Sequence, residues 1–165
     1  MFRRFFRRAQ AHAQSRDAGA FFKALFTTDF EGVDEFGRSS LHYAALGGQS
    51  EHMLMLLARS PSLVLPCNQG WTPLHCAAHA QSVACVSLLL EGGVLVDPQD
   101  QYGNTPLWRA VFESKGHGEV IAVLREAGAD PCRSNKHGVS PLKLARTIAN
   151  YPVAPFFSDM PDDAG

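Results

Sequence analysis

The chain has 165 residues, 45% of them hydrophobic and 19% charged, and its 15 lysines and arginines against 16 aspartates and glutamates leave a net charge of −1. That balance excludes a wholly basic nucleic-acid binder, whose affinity rests on many phosphate contacts, and the apolar content excludes wholesale disorder. No apolar run nears the ~20 residues of a membrane span, and the start, Met1-Phe-Arg-Arg-Phe-Phe-Arg-Arg8, lacks the apolar stretch of a secretory signal.

Residues 1–33 carry six basic side chains (Arg3, Arg4, Arg7, Arg8, Arg16, Lys23) against three acidic ones (Asp17, Asp29, Glu31). Phe2, Phe5, Phe6, Ala9 and Ala13 recur at helical spacing, and Phe21, Phe22, Leu25 and Phe26 form a second apolar face. Eight of the 11 phenylalanines fall in residues 1–36, which predicts helices that cap the array described next, polar side outward. The basic amphipathic stretch also admits contact with membrane lipid or a mitochondrial-type presequence. Capping is the preferred reading.

Beyond residue 33 the chain repeats itself. Gly37, Gly70, Gly103 and Gly138 stand 33, 33 and 35 residues apart. Two residues after each begins a related tetrapeptide: Ser39-Ser-Leu-His42, Thr72-Pro-Leu-His75, Thr105-Pro-Leu-Trp108 and Ser140-Pro-Leu-Lys143. Asp34, Cys67, Asp100 and Asn135 precede the glycines by three. Small residues follow the tetrapeptides at Ala44-Ala45, Ala77-Ala78 and Ala110-Val111, giving way to Ala145-Arg146.

The leading Ser or Thr predicts an N-cap whose hydroxyl accepts from an orphan amide of the first turn. Pro73, Pro106 and Pro141 then fall at the first helical position, where no N–H is needed. Leu41, Leu74, Leu107 and Leu142 are buried anchors, and the alanines let neighbouring helices approach. A second apolar segment follows in three copies (Leu54 and Leu56; Val86 and Leu89; Ile121 and Leu124), closed in two by Gly93 and Gly128 as left-handed caps. Each unit thus reads turn, helix, turn, helix, extended return. Such a unit cannot bury its face alone, so units stack. The third unit has a two-residue insertion around Glu113-Ser-Lys-Gly-His117. In the fourth, Arg146 takes a small residue's place, tolerable where no further unit packs, and Pro152 starts a last helix with Val153, Phe156 and Phe157.

Thr72-Pro-Leu-His-Cys-Ala77 and the 33-residue period resemble the ankyrin repeat. The resemblance covers about residues 34–158 and is most specific in the second copy; it loosens at Ser39-Ser40 and Ser60-Pro61. It implies an all-α ankyrin-repeat solenoid of helix–turn–helix units with β-turn fingers, capped at both ends. Capping helices would occupy 1–33, repeats 34–66, 67–99 and 100–134, a capping fourth repeat 135–158, and a flexible acidic tail 159–165. The resemblance also implies that the histidine of T-P-L-H hydrogen-bonds within its own repeat.

Signs of catalysis are missing from the sequence: it has no Walker A loop, G-x-S-x-G elbow or H-E-x-x-H helix. Gly116-His-Gly118 is too short to cradle phosphate. His75 and His79 can face one metal only with a further ligand, which Cys76, elsewhere on the helix, does not supply. Neither a metal nor a cofactor is expected, nor a small-molecule substrate, and the chain reads as a non-enzyme. Cys67, Cys76, Cys85 and Cys132 include no C-x-x-C pair. They read as free packing thiols of a reducing, cytoplasmic compartment.

The family resemblance implies binding through finger tips and the exposed face of each first helix. On this chain that places Phe36, Arg38, Trp71 and Tyr102 at the tips, and Tyr43, Leu46, Cys76, His79, Arg109, Phe112 and Glu113 along the helices. Aromatic and Arg side chains are enriched among energetic hot spots, so Phe36, Arg38, Tyr43, Trp71, His79, Tyr102, Arg109 and Phe112 are the candidate protein-binding residues. A tip aromatic can equally pack on the next tip and stiffen the array. From Cys67 to Gln99 there is no Lys or Arg, and only Glu91 and Asp97 are acidic. Interface cores are depleted of charge in the same way, which tilts Trp71 toward binding. The expected function is a module that occupies a partner protein's surface as inhibitor or adaptor. The closing Leu144–Phe157 stretch resembles small stand-alone bacterial ankyrin-type immunity proteins, which makes a cognate toxin or effector one such partner. The other reading is a membrane-surface or nucleic-acid-associated factor acting through the N-terminal arginines.

Overall fold

The computed structural model describes residues 32–59, 64–148, 150 and 152–161. The expected capping helices lie almost wholly outside the described residues, as do Ser60-Pro61 and the tail beyond residue 161.

Ser39, Thr72, Thr105 and Ser140 have extended backbones, and a helix starts after each. The Thr72, Thr105 and Ser140 hydroxyls accept from the amides of His75, Trp108 and Lys143, as the sequence predicts. The resulting inner helices are α1 (Ser40–Leu46), α3 (Pro73–His79), α5 (Pro106–Glu113) and α7 (Pro141–Thr147). Three units return through an outer helix: α2 (Ser50–Arg59), α4 (Val83–Glu91) and α6 (Glu119–Glu126). The reversal into α2 uses Gly48 at φ +64°; the corresponding Gln81, before α4, holds φ +53°. That left-handed backbone is costly for a residue with a Cβ, and the Gln81 amide offsets it by donating to Ala78 O and Ala110 O, both at 2.9 Å.

The inner helices stack on one another in a row and the outer helices in a second row behind them, so one continuous core lies between two layers. Leu41, Leu74, Leu107 and Leu142 face it from the inner row; Met53, Leu56, Val86, Leu89, Ile121 and Leu124 face it from the outer row. Leu54 does not join them, with 56% of its surface exposed. It lies about 100° round the helix from Met53, and the Met53–Leu56 pair already fills the buried stripe.

Three of the four fingers are turns built on a side chain three residues before the glycine; in the second, where Cys67 holds that place, the turn closes through backbone bonds alone, Gly70 N to Cys67 O and Cys67 N to Trp71 O, each 2.8 Å. Asp34 Oδ1 accepts from the amides of Phe36 and Arg38 (2.9 and 2.8 Å), Asp100 Oδ1 from those of Tyr102 and Asn104 (2.8 and 2.9 Å), and Asn135 Oδ1 from those of His137 and Val139 (2.9 and 3.0 Å). Adjacent fingers are joined backbone to backbone: Asn68 N to Phe36 O, Gln101 N to Gln69 O and Lys136 N to Tyr102 O, each 2.9 Å. The approach is so close that a Cβ on Gly70, whose φ is +79°, would stand 3.0 Å from Asp100 Cα and Gln101 N. Gly138, φ +70° in the last finger, has open space there.

Two histidines lock the same joints from inside. His75 Nε2 faces the Asn104 carbonyl at 3.0 Å and His42 Nε2 the Trp71 carbonyl at 2.9 Å, so each Nε2 carries the proton. Each Nδ1 accepts from the N-cap amide, Thr72 N at 3.2 Å and Ser39 N at 3.1 Å. The histidine therefore bonds beyond its own repeat as well as within it. Burial above all pushes the His75 pKa down to about 4 from its ordinary 6.5, against the pull of the Asn104 carbonyl and Asp100; burial likewise lowers that of His42. At the third joint, where Trp108 replaces the histidine, Asn135 Nδ2 donates to Asn104 Oδ1 at 2.8 Å.

The end of the array differs from the expected helix. Pro152, Pro155 and Pro161 crowd the segment, and it forms a single 3-10 turn, Ala154–Phe157. Val153 and Phe157 are buried, whereas Phe156 is 39% exposed with its ring laid on Gly118, where a Cβ would collide with it. Arg125 of α6 fastens the turn, gripping both Asp159 oxygens (2.6 and 2.7 Å) and the Phe156 carbonyl (3.0 Å). Arg146 is exposed and donates to Pro161 O at 2.7 Å.

The two glycines separate conformational strain from close approach. Gly138→Ala should cost about 1–2 kcal/mol through its left-handed backbone, and Gly70→Ala about 3 kcal/mol, because the neighbouring finger must also give way; urea denaturation measures both. Between about pH 6.5 and 4 the unfolded chain binds the His75 proton and the folded chain does not. Stability should therefore fall by about 3 kcal/mol as pH drops through that window, with His42 adding to the loss. Urea midpoints from pH 7 to 4 check this, and His75→Gln should flatten the profile.

Candidate protein-binding surface

Stacking sets inner helices side by side, so equivalent residues of successive units form rows. The row that begins with Tyr43 continues through Cys76 and Arg109; the row that begins with Leu46 continues through His79 and Phe112. Finger tips add Phe36 and Tyr102, and the residues just past the glycines add Arg38 and Trp71.

Four of the eight candidates converge. The Trp71 ring has the Arg109 guanidinium 4.5 Å from its centre and the His79 ring at 5.6 Å. Arg109 also lies 5.4 Å from the Trp108 ring, which stacks on Phe112 at 5.3 Å with 11° between the planes. His79 Nδ1 meets Glu113 Oε1 at 3.1 Å, joining α3 to α5. Arg109 Nη2 reaches the fully buried Asp100 carboxylate at 3.3 Å, which holds the guanidinium over the indole. The result is a cluster of Trp71, His79, Arg109, Trp108 and Phe112, with Phe112 54% exposed.

The remaining candidates stand apart. Phe36 (53% exposed) has Arg38 over its ring at 5.6 Å, on the first finger, and Tyr102 (51% exposed) projects from the third. Tyr43 is a correction: it is buried, and its hydroxyl donates to Asp34 Oδ2. Burial first, then Asp34, pushes its pKa up to about 12. It braces the first finger and offers no surface. Cys76, expected on the same face, is also buried, and burial pushes its thiol up to about 12. Cys67 and Cys85 are buried free thiols; Cys132 is only half-buried.

Sequence reasoning missed Trp108, whose signal was its place at the position where two other units carry the joint histidine. It also missed the role of Asp34, Asp100 and Asn135, whose shared offset from the glycine marks a side chain that cradles finger amides. His75 has both nitrogens engaged inside the array, so it does not pair with His79 as a metal ligand. On another side an apolar cavity of about 470 Å³ opens among Val64, Leu65, Pro66, Leu89, Val94 and Leu95, and none of the described residues that line it is titratable.

A family model for ankyrin repeats in three copies matches residues 41–135. The chain belongs to the ankyrin-repeat family. It is 40% identical over 107 residues to human ankyrin repeat and SOCS box protein 11, a match covering 65% of this chain and 32% of that protein. It is 31% identical over 109 residues to bovine ankyrin repeat and SOCS box protein 3 (63% of this chain, 20% of that protein). Human transient receptor potential cation channel subfamily A member 1 is 31% identical over 114 residues (68% of this chain, 10% of that protein). The chain thus spans a third or less of these relatives' length. None of the described helices is long and apolar enough to cross a membrane.

Proposed function

We propose that this chain is a non-catalytic module that occupies the surface of a partner protein with its inner face. Ankyrin repeats serve as protein–protein interaction modules, and the family is typically without catalytic activity. The observation that carries the reading is the Trp71–Arg109–Trp108–Phe112 cluster. It gathers large side chains with few rotatable bonds, already ordered by stacking and by the Asp100 contact, so little entropy is lost when a partner covers them. His79 adds to the cluster from α3, and Phe36, Arg38 and Tyr102 extend the strip along the fingers. Inhibition, scaffolding and neutralisation of a toxin are narrower forms of the same act, each requiring only that a partner's surface be covered. Buried free thiols support a reducing, cytoplasmic setting.

Co-purification from the native cell with mass-spectrometric identification names the partner. A Trp71→Ala, Phe112→Ala double variant should keep its helical circular dichroism and bind that partner about a hundredfold more weakly or worse. Undiminished binding would contradict the placement of the surface.

A further inference from the structure

The two ends of the inner row differ. In α5, Arg109 and Glu113 reach Trp71 and His79 of the preceding unit, and Ala110 O accepts from its Gln81, so these positions look backward along the array. Pro106, three residues before Arg109 and four before Ala110, shares their stripe. His42 and His75 reach carbonyls of the following unit, so that position and those three and four residues on look forward.

In α7 the forward positions are Lys143, Arg146 and Thr147, all polar and all exposed. In α1 the backward positions are Ser40, Tyr43 and Ala44, and these are 1%, 5% and 0% exposed. The first finger accounts for Tyr43, whose hydroxyl Asp34 takes. Ala44 has only a methyl group, so its burial comes from whatever lies directly against the helix. Among the described helices α1 packs on α2 and, as its one neighbour in the inner row, on α3. Yet it is closed at every position from Ser40 to Ala45, as α3 is from Pro73 to Ala78 with an inner helix on each side.

This burial is reached within one chain, so the cover on the back of α1 comes from the chain itself. Of the residues beyond the description, 60–63 join α2 to the second finger, and 149, 151 and 162–165 belong to the far end of the array. Residues 1–31 lead into the first finger, where Val33 is bridged to Ser39, the N-cap of α1. That stretch alone arrives beside Ser40, and Phe21, Phe22, Leu25 and Phe26 supply it with large apolar side chains.

We propose that residues 18–31 dock on the back of α1, over Ser40 and Ala44, in the place that a preceding unit would take. The apolar side chains of the segment then close the first unit as α3 closes it in front. The flank is thereby closed to a second copy or a partner, which leaves the inner strip as the accessible surface at this end. The inference does not depend on the identity of any partner.

The test places a thiol on the seat: Ser40→Cys in the full chain, with the half-buried Cys132 changed to Ser, followed by reaction with a chromogenic disulfide. The new thiol should react about a hundredfold more slowly than one introduced at exposed Thr147, at every protein concentration. Adding Phe22→Asp and Phe26→Asp should speed it about tenfold while helical circular dichroism is kept. In the unaltered chain, trypsin should cut after Lys23 about a hundredfold more slowly than in a free peptide of residues 18–31. Fast reaction of the Ser40→Cys thiol, or a slow reaction that the Phe substitutions leave unmoved, overturns the proposal. Protection that is lost on dilution overturns it in favour of a second copy. Should the substituted chain unfold, cleavage of the unaltered chain decides: a rate after Lys23 equal to that of the peptide overturns the docking.

Discussion

The array depends on one constraint: each finger must let the next finger's backbone come within hydrogen-bonding distance of its own. A unit of two short helices has no closed core, so its stability comes from its neighbours. Glycine at the left-handed turn makes the approach possible, since a Cβ on Gly70 would stand against the backbone of the next finger. Once the fingers are joined, a carbonyl of the following unit lies where His42 or His75 can reach it. Each histidine must stay neutral to donate at one nitrogen and accept at the other. Burial enforces that state.

The joints set the geometry of the inner face. Because α3 and α5 are held in fixed register, Arg109 falls over Trp71 and His79 falls beside Glu113. The Asp100 carboxylate serves both levels, accepting the amides of its own finger and holding the guanidinium that lies over the indole. Structure and surface are continuous here: a side chain that shapes the turn also positions a residue of the proposed interface.

Much of this was legible in the sequence. The four glycines and the tetrapeptides after them mark local chemistry, caps and left-handed turns, and local chemistry can be read residue by residue. What was not legible depends on neighbours. Tyr43, Cys76 and Arg109 share one register position, yet the first two are buried and only Arg109 stays part-exposed, at 15%, within the aromatic cluster. A hydroxyl with Asp34 in reach turns inward, a thiol is small enough to pack, and a guanidinium keeps part of itself in water. The reach of His42 and His75 into the following unit was hidden for a similar reason, because a backbone carbonyl as partner leaves no mark in the sequence. At the C-terminus the apolar spacing of Val153, Phe156 and Phe157 suggested a helix, but closely spaced prolines allow only one turn.

If the finger joints hold the array together, the amides of Asn68, Gln101 and Lys136, though they lie in exposed turns, cannot open without separating whole units. Native-state hydrogen exchange addresses this directly. The account predicts that these three amides exchange with opening free energies close to those of amides inside α3 and α5. Exchange at the rate of unprotected loops, while the helices stay protected, would contradict it.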